Sequence, residues 1–157
     1  MPLRRITLSA VMAFALDRVC KFAVSHWLHL DSEHVAHIWP PYLTLGVSRN
    51  TGIDFGLWGD HDMRWALISF ALLVSLGLVI WARNKRGWLL PLGAGMLVGG
   101  ALGNAVDRSV YGAVVDYLNV SCCGIHNPYF FNLADAFIFC GCVLFAFGID
   151  AKHKPAP

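Results

Sequence analysis

Asp107 and Asp135 each follow an asparagine by three residues, Asn104 and Asn132, and each lies at one end of a long apolar segment. A carboxylate beside a membrane span is costly to keep, so it calls for a partner or a chemical task. Two of them, at helix ends on the same side of a bilayer, read as a pair. Two aspartates that share one proton can hydrolyse a peptide bond with water and no metal. Residues three apart share a helical face, so Asn104 and Asn132 can each orient the carboxylate beside them. Asp107 falls at a helix C-terminus and Asp135 in a first turn with Asn132 as its N-cap, which makes Asp107 the readier proton donor and Asp135 the readier base.

The elements that must position this pair are apolar helices. The chain has 157 residues, enough for one domain over 1–157, and is 57% hydrophobic and 14% charged. Its mean hydropathy is +0.55, too apolar for an ordinary soluble protein. A net charge of +2 excludes a polyanion partner, so no nucleic acid is expected. A spanning helix needs about 20 mostly apolar residues. The spacing predicts four spans, at about 6–28, 65–82, 87–106 and 133–149. The first carries Asp17 and Lys21, four apart and able to form a structural pair on one face. Arg4 and Arg5 before an apolar run also resemble a secretory signal, but charges interrupt the run and no small-residue cleavage site follows, so a retained helix is expected.

Arg4, Arg5, Arg83, Lys85, Arg86, Lys152 and Lys154 fall on one side of such a bundle, and Arg49, Arg64 and Arg108 on the other. Both termini are therefore expected in the cytoplasm, and the loop of about 29–63 and the segment 107–132 outside. Within that loop Leu43, Leu45 and Val47 alternate like a half-buried strand, and Asn50-Thr51-Gly52 reads as a turn. Gly95, Gly99 and Gly103 form a small-residue stripe for close helix packing. Six tryptophans lie near span ends or in the outer loop, as an aromatic belt would. His26, His29, His34 and His37 fit no zinc spacing, and no metal is expected. Of five cysteines, Cys20, Cys140 and Cys142 read as small hydrophobes, while Cys122 and Cys123 fall in a loop. The rival class is an ion- or proton-coupled transporter, which tends to place its carboxylates at mid-membrane between repeated halves. Here only Asp17 is central, and no repeat is visible.

Five motifs in order resemble one family, lipoprotein signal peptidase or signal peptidase II. They are Leu16-Asp17-Arg18-Val19-Cys20-Lys21, Asn50-Thr51-Gly52-Ile53-Asp54-Phe55-Gly56, Gly100 to Arg108, Val114-Val115-Asp116-Tyr117, and Phe131-Asn132-Leu133-Ala134-Asp135. The resemblance implies a bacterial inner-membrane aspartyl endopeptidase that acts on diacylglyceryl-modified prolipoproteins, cuts before the lipobox cysteine, and needs no cofactor or obligate protein partner. It implies Asp107 and Asp135 as the dyad, and Asn50, Gly52, Asn104, Arg108 and Asn132 as substrate-binding residues. Asp17, Lys21 and Asp116 are left structural. The fold class implied is an all-α membrane protein, with a small sheet and a surface helix in the outer loop. Two stretches depart from the pattern: Ile53-Asp54 stands where the family has two alanines, and Ser121-Cys122-Cys123-Gly124-Ile125-His126-Asn127 is not a family motif.

Overall fold

The structure, a computed structural model, describes residues 1–28, 30, 34–52, 63–85 and 87–150. The surface helix expected in the outer loop, together with His29, Asp54 and Trp58, lies outside the described residues. Four helices carry the fold: α1 (Pro2–Phe22), α2 (Arg64–Ala82), α3 (Leu89–Tyr111) and α4 (Leu133–Asp150). A single π-type turn, Ala23–Trp27, extends α1. Among the described residues α2 and α3 are long and apolar enough to cross a membrane, and Leu133–Gly148 is a shorter apolar stretch.

Helix α3 is the centre of the bundle. Most of its apolar stretch, 61%, is buried, against 17% for α2, so the other helices pack around it. The glycine stripe explains the closeness. A side chain at Gly95 or Gly99 would strike Ser9 or Ala13 of α1, and one at Gly100 would strike the Ala134 carbonyl of α4. Backbones can approach this far only where side chains are missing. The outside of the bundle is apolar instead: Leu8, Met12, Phe70, Leu73, Phe139 and Phe147 are all exposed. An apolar surface of this extent suits lipid rather than water.

Beyond the helices lies one antiparallel sheet, in the order β1 (Ala36–Trp39), β2 (Leu43–Asn50), β3 (Val114–Val120). The alternation of Leu43, Leu45 and Val47 forms β2 as expected, although the strand runs on through Asn50. The third strand goes beyond the sequence reading, yet Val114-Val115-Asp116-Tyr117-Leu118-Asn119-Val120 alternates well enough to signal it. Its placement has a local cause. Gly112 takes φ +75°, and its N–H donates to the Arg108 carbonyl at 3.1 Å, a left-handed cap that ends α3 and reverses the chain into β3. On the far edge of β3, Leu118 and Phe131 exchange two backbone hydrogen bonds of 2.8 Å. That bridge delivers Asn132 and the start of α4 to the side of the strand.

Candidate active site

The structure sorts the buried carboxylates into two centres. In the first, Asp17 and Asp107 are wholly buried and face two cations. The Asp17 carboxylate contacts Arg18 at 2.7 Å and Lys21 at 3.0 Å, while Asp107 contacts the same two at 2.7 and 2.6 Å. Asp17 also accepts the Ala134 N–H at 3.1 Å, and Asp107 accepts the Val115 N–H at 3.1 Å. Two charges of each sign thus tie α1 to α3, α4 and β3. The expected Asp17–Lys21 pair exists within this larger cluster.

That arrangement corrects the expectation for Asp107. Two span ends on one side of a bilayer suggest a pairing with Asp135. Helix α3 in fact continues to Tyr111, so Asp107 lies one turn inside it, turned toward α1 and its cations. The Asn104–Asp107 pairing is corrected too: Asn104 donates to Asp135 instead, at 2.8 Å.

Asp135 therefore belongs to the second centre, and its neighbour there is Asp116, which the motifs leave structural. Asn132 links them. Its side-chain amide donates to Asp116 Oδ1 at 2.6 Å and to Asn104 Oδ1 at 3.2 Å. Its Oδ1 accepts the Asp135 N–H at 3.0 Å, and Asp135 Oδ2 accepts the Asn132 N–H at 3.2 Å. This reciprocal cap starts α4 and fixes the Asp135 carboxylate in its first turn. From β2, Asn50 donates to Asp116 Oδ2 at 3.0 Å. The sheet register supplies Asn50, because Asp116 stands opposite Ser48 and Asn50 opposite Val114. Asn50 Oδ1 in turn accepts the Gly52 N–H at 2.8 Å. At φ +91°, with Leu67 and the Arg108 guanidinium close behind its Cα, Gly52 could not readily be replaced.

Among the described residues no ion pair holds Asp116 or Asp135. Arg108 feels the field of Asp135 most, then that of Asp116. Burial pushes the Asp116 carboxyl above the usual aspartate range. The Asn50 hydrogen bond opposes this, the Asp135 charge adds to it, and Asn132 and Lys21 oppose it again. Asp135 is half-buried, whereas Asn132 is fully covered. Asn132 therefore presents no free surface. Asn104 and Arg108 form the polar end of a 260 Å³ groove whose other walls include Leu67, Phe70, Val74, Leu97 and Ile138.

The family model for signal peptidase II matches residues 9–149. The chain belongs to that family. The lipoprotein signal peptidase of Caulobacter vibrioides is 37% identical over 138 residues, covering 86% of this chain and 80% of its own. That of Methylorubrum extorquens is also 37% identical, over 145 residues, 88% of this chain and 82% of its own. The Rhodopseudomonas palustris protein aligns over 98% of this chain and 99% of its own at 34% identity. Two solved bacterial membrane enzymes share the fold. One has a TM-score of 0.78 at 21% identity, covering 97% of this chain and 93% of its own. The other has 0.77 at 23%, covering 96% and 94%. The transporter reading finds no support among these relatives and is dropped.

Two of the described loop histidines meet different neighbours. His26 stacks on Phe22 with ring centroids 4.3 Å apart, and the His37 ring meets Thr44 Oγ1 at 3.0 Å. Cys122 and Cys123 are exposed in a tight turn where Cys122 bridges Ile125.

Proposed function

We propose that this chain removes signal peptides from diacylglyceryl-modified prolipoproteins, cutting before the lipidated cysteine, with Asp116 and Asp135 as the catalytic pair. The observation that carries the assignment is the pair's surroundings: two carboxylates joined through one buried amide and held by neutral donors. A carboxylate bound by cations is fixed as an anion. One held by amides can take up and release a proton, which general acid–base hydrolysis requires.

The division of labour follows from the hydrogen bonds. Asp135, in the first turn of α4 and accepting two N–H donors, takes a proton from the attacking water. Asp116, whose burial favours the neutral acid, gives its proton to the carbonyl oxygen as water adds. When the C–N bond breaks, Asp135 passes the proton it took from water to the leaving amine, and the intermediate's hydroxyl returns one to Asp116. Like charges close together keep a single proton on the pair near neutral pH, and that proton belongs to both. Arg108 and Asn104 stand where the groove meets the pair, suited to hold the substrate backbone while its acyl chains stay in the apolar part. Four spans, cytoplasmic termini, and a catalytic pair at the outer face of the inner membrane complete the reading. It rests on the four helices and the lysine and arginine asymmetry.

The test is incubation of the purified protein with a lipidated prolipoprotein, followed by mass spectrometry. The wild type is expected to release the signal peptide, and Asp116→Asn to leave the substrate intact. Normal cleavage by Asp116→Asn would sink the assignment.

A further inference from the structure

The sheet has a reverse side that the cleavage site does not use. Because strand side chains alternate, Asn50 and Asp116 occupy one face of the β2–β3 pair, while Arg49 and Val115, opposite each other in register, occupy the other. That reverse face walls a recess of 410 Å³ together with the last turns of α1 and α3. Its charged lining is lopsided: Arg18, Lys21 and Arg49 against Asp107. Arg18 and Lys21 are matched by Asp17 and Asp107, two against two. Among the described residues Arg49 has no carboxylate partner, so a positive charge is left over at the recess.

The surroundings say what kind of anion fits. Leu8, Met12, Val19 and Phe22 are exposed along one stripe of α1, and that stripe ends at the recess, where Phe22 is part of the wall. Trp27, 70% exposed, stands one turn further on. An apolar track capped by an unmatched guanidinium and an aromatic residue has the order of a phospholipid: acyl chains, then phosphate, at the interfacial level.

We infer that the recess behind the sheet binds the phosphate of an anionic phospholipid, with Arg49 as its principal ligand. The site is separate from the cleavage centre and rests only on this end of the bundle lying at a membrane surface. A lipid held there would brace β2, and with it Asn50, from the side opposite Asp116.

The test uses the full chain in neutral detergent, titrated with dihexanoyl-phosphatidylglycerol and read by calorimetry. Dihexanoyl-phosphatidylcholine and inorganic phosphate serve as comparison arms. Saturable binding of the anionic lipid is expected. Loss of one charge-assisted contact in Arg49→Ala should weaken it about tenfold or more, with Arg49→Lys largely restoring it. The melting temperature of Arg49→Ala, an exposed position, should stay near wild type. Asp116→Asn, expected to be inactive, should bind the lipid normally. Unchanged affinity in Arg49→Ala overturns the proposal, as does equal binding of the zwitterionic lipid. Inorganic phosphate binding as tightly as the lipid would overturn the lipid assignment. Loss of binding in Asp116→Asn would move the lipid to the cleavage site and overturn the separate recess.

Discussion

The two carboxylate centres of this protein hold the same functional group by opposite means. Asp17 and Asp107 face Arg18 and Lys21 at 2.6–3.0 Å. Asp116 and Asp135 face asparagine amides and backbone N–H groups. The first arrangement compensates buried charge and joins elements. The second tolerates either protonation state, because an amide can present its oxygen or its N–H. Burial of an aspartate is therefore a poor guide to its task. The partner decides.

Asparagine substitutions separate the centres most sharply. Asp116→Asn and Asp135→Asn should each lower kcat by about a thousandfold or more, the scale of general acid–base contributions, in protein that still inserts and folds. Asp107→Asn should do the reverse. Removing one partner from a buried ion pair costs about 3–5 kcal/mol, so its main effect is expected on melting temperature. Cleavage per folded molecule should stay roughly within the range of an indirect effect, tenfold or less. Activity measured on the folded fraction, beside a thermal melt, checks both. An Asp107→Asn protein that melts like wild type and has lost its activity would return Asp107 to the dyad.

Asn132→Ala probes the link inside the second centre. Four hydrogen bonds tie this residue to Asp116, Asn104 and Asp135, two from its amide group, one into its side-chain oxygen and one from its backbone N–H. Alanine keeps the backbone bond and deletes the rest. It should lower kcat roughly a hundredfold, as misplacement of catalytic groups does, with KM little changed because Asn132 is covered. A rise in KM at normal kcat would instead restore the substrate-binding role read from the sequence.

Local pattern carries much of the fold and half of the proposed catalytic pair. The four helices among the described residues, the β2 strand, the Asn132 cap and the Asp17–Lys21 pair are legible in the sequence, because there spacing along the chain equals proximity in space. Proximity between elements is not legible in the same way. Asp107 and Asp116 are nine positions apart by number, and each sits in a plausible motif. Choosing between them requires the reversal at Gly112 and the Leu118–Phe131 bridge, which bring β3 to the head of α4. Tyr111-Gly112 signals the turn, and alternation from Val114 signals the strand. The bridge has no local signal. Arg18 is likewise hidden as a partner of Asp107, because the two lie on different helices and nothing local to either signals the other.

The smallest expected effect is also the most diagnostic of how the second centre holds its proton. Asn50 stabilises the ionised form of Asp116 by hydrogen bonding, and so holds back the rise that burial causes. Asn50→Ala removes that donor, and the Asp116 carboxyl should then keep its proton to higher pH. If Asp116 supplies the proton in the reaction, activity falls on the alkaline side as the pair loses it. That limb of the pH–rate profile should move upward in Asn50→Ala, by about one unit or less for a single part-buried hydrogen bond. The acid limb, governed by ionisation of the pair's other carboxylate, should move far less. The limbs belong to the coupled pair, so the shift is read as a difference between variant and wild type on one substrate. An acid limb that moved up instead, with the alkaline limb unmoved, would mean that Asp116 acts in its ionised form, and the roles of Asp116 and Asp135 would then be exchanged.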